Sequence, residues 1–184
     1  MRIISGLAKG RRLATPKSPL IRPVSDKVKE AIFNILGPID GETVLDLFAG
    51  TGSVGLEAAS RGAAKVVLVD GGEEGIRLIR KNIAVCGFEE TAVAVKGILP
   101  RVLEIVARKN PPFNLVFVDP PYDKGLIDPT LQALVSHKLI DAQSRVIIEH
   151  SPREIPSPTG LGLTDSRKYG QTIVSFYHPL PGVV

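Results

Sequence analysis

The chain has 184 residues, 43% hydrophobic and 23% charged, values of a globular protein with a core large enough for one α/β domain, so a single domain over 1–184 is expected. No apolar run approaches the roughly 20 residues of a membrane span, the first residues lack a signal-peptide core, and the single cysteine, Cys86, excludes an internal disulfide. A soluble protein of a reducing cytoplasm is expected. The net charge of +4 is uneven: residues 1–30 hold eight Lys or Arg against Asp26 and Glu30, and the remainder is slightly acidic.

In chain order, Arg2-Ile-Ile, the turn formers Ser5-Gly6 and the Lys9-Gly10-Arg11-Arg12-Leu13 segment predict a short N-terminal β-hairpin with a basic tip. This arm, residues 1–21, reads as an extension whose Lys9, Arg11 and Arg12 contact phosphates; the competing reading is a solvated tail. Arg22-Pro23 is rigid and basic, and either orders the start of the following helix or contacts a ligand. Ser25 is a helix cap, and Val28, Ala31, Ile32, Ile35 and Leu36 fall at helical spacing before Gly37.

Val44 to Phe48 is a short apolar run broken by one acid, Asp46, and is followed by Gly50, Gly52 and Gly55 and then by helix-forming Leu56-Glu-Ala-Ala. Val66 to Val69 is a second strand, so the unit is a βαβ crossover with parallel strands. Asp70 lies twenty residues after Gly50, the spacing at which an acid accepts hydrogen bonds from a ribose. A carboxylate at Asp46 would repel a pyrophosphate at the glycine turn, whereas a cation is welcome there. S-adenosylmethionine, with its ammonium and sulfonium, fits this pattern better than a dinucleotide. The alternative is that Asp46 only caps the turn.

A helix from Glu73 to Cys86, a strand over Ala92 to Lys96, a helix from Ile98 to Arg108, a strand at Leu115 to Val118, a helix from Pro129 to His137 and a strand at Arg145 to Glu149 continue the alternation. Two strands, roughly Leu163 to Lys168 and Thr172 to Tyr177, close the chain around Tyr169-Gly170. The expected fold is α/β and Rossmann-like: seven strands, mostly parallel, with a C-terminal antiparallel hairpin.

Asp119-Pro120-Pro121-Tyr122 follows the fourth strand. Consecutive prolines remove two donors, so Asp119 and the Pro120 carbonyl make an acceptor-only surface suited to holding an amine by its N–H groups. Tyr122 offers a face on which a base stacks. Ligands of such sheets bind outside the carboxyl ends of the strands, so this motif and the glycine loop are expected to share a cleft. In isolation the motif also reads as a simple turn. His137, His150 and His178 have no metal-ligand spacing with the acids or Cys86, so no metal is expected.

Asp119-Pro-Pro-Tyr122 resembles the signature of methyltransferases acting on exocyclic amines of nucleobases. Together with Arg2-Ile-Ile-x-Gly-x-x-Lys9-Gly-Arg, the run from Arg22 to Leu36, Asp46-Leu-Phe-Ala-Gly-Thr-Gly52 and Lys168-Tyr-Gly-x-Thr172, it is similar to the RsmD type of bacterial 16S ribosomal RNA guanine-N2 methyltransferase over nearly the whole chain. The resemblance implies the class I methyltransferase fold, S-adenosylmethionine as cofactor, and a guanine of 16S rRNA in the small ribosomal subunit as substrate of a monomeric enzyme. It implies a cofactor site of Asp46, Phe48, Gly50, Gly52, Asp70, Ile98 and Asp119. Catalysis falls to Asp119, Pro120 and Tyr122, and RNA contact to Lys9, Arg11, Arg12, Arg22 and Tyr122. Val24 stands where that family usually has threonine, and Lys96-Gly-Ile-Leu99 lacks the acid or amide usual near the adenine. Rival readings are an adenine-N6 or protein-glutamine N5 methyltransferase, which the basic arm disfavours for protein, and a non-catalytic RNA-binding relative.

Overall fold

Alternating β and α segments of this length have few ways to bury their apolar faces, and a parallel sheet with crossover helices is the simplest. A computed structural model of the chain describes residues 1–16 and 26–182. Expectations for Arg22, Pro23, Val24 and Ser25 lie outside these residues. The chain forms two compact units, Met1–Gly97 and Ile98–Val184. The described residues hold seven strands and five helices.

The first unit contains α1 (Asp26–Leu36), β1 (Thr43–Leu47), α2 (Ser53–Ser60), β2 (Lys65–Asp70), α3 (Glu73–Cys86) and β3 (Ala92–Lys96). β1 pairs with β2 and β2 with β3, both parallel. The unbroken run Val66-Val-Leu-Val69 is buried throughout, as a strand covered on both faces requires. All eight residues of α2 are buried, so this helix has no face left for water. Gly55 permits that: a Cβ there would lie 2.9 Å from Leu68 Cδ2 and 3.0 Å from Asp46 Oδ2.

Residues 1–16 of the N-terminal arm are folded, and 17–21 lie outside the described residues. Arg2 and Arg12 form an antiparallel bridge, Ile3 N–H donates to the Arg11 carbonyl and Gly10 N–H to the Ile3 carbonyl. Ile3, Ala8 and Leu13 are buried. The solvated-tail reading therefore fails. On α1 the buried residues are Val28, Lys29, Ile32 and Phe33, while Ile35, expected on the apolar face, is exposed.

The second unit contains α4 (Leu103–Ala107), β4 (Leu115–Val118), α5 (Ile127–Ser136), β5 (Arg145–His150), β6 (Leu161–Tyr169) and β7 (Thr172–Pro179). β4 and β5 are parallel, and β7 is antiparallel to both β5 and β6. The β6–β7 turn spans Gly170 and Gln171 between the paired Tyr169 and Thr172, with Gly170 at φ +64°. The helix expected from Ile98 is shorter and starts at Leu103. Pro100 disfavours α geometry at the residue before it, so residues 99–102 turn first and Leu103 N–H donates to the Pro100 carbonyl.

Candidate active site

In the first unit the chain leaves β1 through Phe48, at φ +60°, and Gly50 and Gly52, at φ +55° and +76°. Ala49 N–H donates to the Val69 carbonyl and Gly52 N–H to the Ala49 carbonyl, which fixes a tight loop between β1 and α2. Asp70, at the carboxyl end of β2, closes it. Its Oδ2 accepts from Gly50 N–H at 2.8 Å and its Oδ1 from Gly72 N–H at 2.7 Å. A carboxylate oxygen has more than one lone pair, so each keeps capacity for a further donor.

Asp46 is buried, and its Oδ2 accepts from Gly55 N–H at 2.9 Å. This bond ties the first turn of α2 to β1. Burial pushes its carboxyl up to about 7, the Asp70 charge pushes the same way, and the Gly55 hydrogen bond opposes both. Two carboxylates flank the glycine loop, and one holds its proton tightly enough to compete with ionisation near neutral pH.

At the far end of β3, Lys96 pairs with Glu73, and Gly97 N–H donates to the Asp70 carbonyl. Ile98, which opens the second unit, is 70% exposed.

In the second unit β4 runs into Asp119, which is half-buried, and Pro120, which is buried. The Tyr122 hydroxyl donates to Glu149 Oε1 at 3.2 Å and lies 2.8 Å from Thr172 Oγ1. These bonds tie the ring to the end of β5 and the start of β7. Burial pushes the phenol up to about 12, the charges of Glu149 and Asp119 add to that, and Thr172 opposes it. Tyr122 therefore keeps its proton at neutral pH. Asp123 and Gly125 sit at φ +57° and +63°, and their N–H groups donate to the Glu154 carboxylate at 2.6 and 2.8 Å. Ser151 Oγ donates to Asp123 Oδ1 at 2.7 Å. The loop after Asp119 is thereby held by the segment that follows β5.

Of the arm's candidate phosphate ligands, Lys9, Arg11 and Arg12 are all exposed. Arg11 also donates to the Val85 carbonyl at 2.7 Å. Lys29 belongs to a different role than its place in a basic segment implies. It is fully buried, donates to the Arg2 carbonyl at 2.9 Å and lies 3.7 Å from Glu57 Oε2. Burial lowers its pKa and the Glu57 charge opposes that.

Sequence reasoning missed Glu57, whose carboxylate accepts from Ile4 N–H at 2.7 Å, Ser5 N–H at 3.0 Å and Arg61 Nε at 2.8 Å. A lone acid in the small, apolar helix Ser53–Ser60 was the available signal, because a helix without a polar face has no water for it. Glu149, Thr172 and Glu154 carried no such mark. Among the described residues no cluster of His, Cys, Asp and Glu is arranged to hold a metal ion.

The family model described as Conserved hypothetical protein 95 matches residues 1–178. The chain belongs to this family. It is 33% identical to Ribosomal RNA small subunit methyltransferase D of Escherichia coli K12 over 180 residues, covering 96% of this chain and 89% of that protein. To YlbH of Bacillus subtilis 168 it is 35% identical over 181 residues, covering 96% and 98%. The solved structure of yhhF from Escherichia coli superposes with a TM-score of 0.85 at 32% identity, covering 97% of each chain. The family fold, with its C-terminal antiparallel hairpin, is the Rossmann-like class I methyltransferase fold. No helix among the described residues of this family member is long and apolar enough to cross a membrane.

Proposed function

We infer that the chain is an S-adenosylmethionine-dependent ribosomal RNA methyltransferase that modifies the exocyclic N2 amine of a guanine in 16S rRNA of the small ribosomal subunit, acting as a cytoplasmic monomer. The observation that carries the cofactor assignment is the acid pair around the glycine loop. Asp46 has its charge disfavoured by burial and by Asp70, so a positively charged ligand relieves what a pyrophosphate would aggravate. S-adenosylmethionine meets that demand and supplies the electrophilic methyl group. Family membership supports the RNA substrate, since the Escherichia coli relative is a ribosomal RNA small subunit methyltransferase by name.

In this reading Asp46, Phe48, Gly50, Gly52, Asp70, Ile98 and Asp119 hold the cofactor, Asp70 through the ribose hydroxyls. Asp119 and the Pro120 carbonyl accept the two N–H bonds of the amine. Guanine N2 is a poor nucleophile because its lone pair is delocalised into the ring, and acceptors on both N–H bonds favour a more pyramidal, more reactive nitrogen. The Asp119 charge stabilises the positive charge that develops there. Little acid–base help is needed, so positioning supplies most of the effect. Tyr122, its hydroxyl already engaged, presents ring surface to the unstacked base and offsets the cost of extruding it. Lys9, Arg11, Arg12 and Arg22 neutralise phosphates beside the target.

Methyl-labelling of small ribosomal subunits from cells lacking the enzyme, followed by nucleoside analysis, tests the assignment; N2-methylguanosine is the expected product. Labelled N6-methyladenosine, or label in protein, would replace it with one of the rival readings.

Two expected results follow from the residue roles. Asp70→Ala weakens S-adenosylmethionine binding by about 1.5–3 kcal/mol, through loss of charge-assisted bonds to the ribose; unchanged affinity in calorimetry removes Asp70 from the site. Replacing Lys9, Arg11 and Arg12 together by alanine flattens the slope of log affinity for the small subunit against log salt by roughly 2–3 units. Filter binding across a salt series measures it, with a melting curve to show that the arm, to which Arg11 contributes a bond, stays docked. An unaltered slope would leave the basic tip without a phosphate role.

A further inference from the structure

Asn82 is the polar member of the buried face of α3 and is fully buried. Its Oδ1 accepts from Ala14 N–H at 2.7 Å, and its Nδ2 donates to the Ala14 carbonyl at 3.1 Å and to the Thr51 carbonyl at 2.9 Å. Ala14 lies where the arm leaves its hairpin, and Thr51 stands between Gly50 and Gly52 of the glycine loop, here called the donor loop because the proposed function seats the methyl donor on it. One amide therefore grips both segments. At the other end of the arm, Thr51 Oγ1 donates to Met1 Sδ at 3.4 Å.

The same two segments are joined again along α2. Gly52 is the N-cap of this helix, while its last turn holds the arm: Leu7 N–H donates to the Ser60 carbonyl at 2.8 Å, Ala8 N–H donates to Ser60 Oγ at 2.9 Å, and Ser60 Oγ donates to the Ser5 carbonyl at 2.5 Å. Gly6 packs so closely that a Cβ on it would overlap the Ser60 carbonyl. Neither the arm nor the loop loosens without disturbing bonds of the other. A ligand that orders one segment has already met part of the ordering cost of the second, which is the condition for positive coupling between two sites.

We propose that Asn82 is a positioning residue that couples the RNA-binding arm to the donor loop, so that RNA on the arm tightens the cofactor and the cofactor tightens RNA by the same factor. This rests on the reading of the loop as the S-adenosylmethionine site and of the arm as an RNA contact. Asn82 touches neither ligand. Its part is to keep the Thr51 carbonyl, and with it the Gly50 to Gly52 backbone, in register with the arm.

The test uses calorimetry with S-adenosylhomocysteine, which cannot transfer a methyl group, with and without saturating unmethylated small ribosomal subunits. In the wild type the RNA is expected to tighten the ligand by about 5- to 20-fold. In Asn82→Ala the factor falls to about 1- to 3-fold, what the α2 connection alone transmits. Asn82→Asp keeps the acceptor for Ala14 N–H but sets a buried carboxylate against the Ala14 and Thr51 carbonyls, and lowers the factor at least as far as alanine does. Hydrogen exchange in the wild type needs no variant: the ligand alone should slow exchange at the Ala14 amide, which the arm contributes. An equal factor in wild type and Asn82→Ala, or an Ala14 amide indifferent to the ligand, overturns the coupling. A wild type that binds S-adenosylhomocysteine and S-adenosylmethionine not at all overturns the donor-loop assignment and the coupling with it. Ligand binding untouched by RNA overturns the coupling alone.

Discussion

Asp119→Ala is expected to lower turnover by about 100- to 1,000-fold, the effect of removing one charge-stabilising group from a transition state, while cofactor affinity changes far less. The asymmetry follows from where the contact is strongest. A ground-state amine is a weak donor, whereas the attacking nitrogen becomes cationic, so a carboxylate beside it gains interaction along the reaction coordinate. Because Pro120 and Pro121 bring no N–H groups, the motif offers the carboxylate no donor from its own two following residues. Asp119→Asn, which keeps an acceptor oxygen and loses the charge, should fall between wild type and alanine. Single-turnover rates at saturating cofactor read the step directly. Wild-type turnover in Asp119→Ala would end the orienting role.

The second large effect concerns stability. Glu57→Ala is expected to cost about 3–5 kcal/mol, because it removes the buried partner of the Lys29 ammonium and leaves it the Arg2 carbonyl and Asp26, which lies 3.8 Å away but is 41% exposed. It also removes the acceptors for Ile4 and Ser5 N–H. The Lys29→Met and Glu57→Gln double variant should recover part of the loss, since burying no charge is cheaper than burying one unpaired. Urea unfolding of the wild type and the two variants measures both. A loss below about 1 kcal/mol in Glu57→Ala would place the pair in the weak class of exposed ion pairs.

Strand and helix identity were legible where one physical requirement dominated. Buried parallel strands need continuous apolar runs, and Val66 to Val69 and Leu115 to Val118 supply them. The glycine loop was legible because its backbone enters φ > 0 at Gly50 and Gly52, and because Gly55 leaves no room for a side chain. Ile98 to Arg108 misled because helical composition was weighed above the restriction Pro100 places on Leu99. The basic residues of 1–30 read alike in the sequence, although Lys29, on α1, is buried inside the protein. Charge composition does not tell a phosphate ligand from a buried ammonium; only the partner does, and Glu57 lies 28 residues further along the chain. Thr172 and Glu149, which orient Tyr122, were equally hidden, since a residue's service to a distant side chain leaves no periodicity behind.

The way the arm is fastened also sets an order of events during synthesis. Residues 4, 5 and 8 leave the ribosome well before α2, yet their N–H groups bond to Glu57 and Ser60, 52 or 53 positions later, and Ala14 waits a further stretch for Asn82. Until α2 exists, Ile3, Ala8 and Leu13 have no core to enter, and the nascent arm is an open basic segment beside the very class of RNA that surrounds a translating ribosome. Its docking is a late, non-local event of the kind that slows folding.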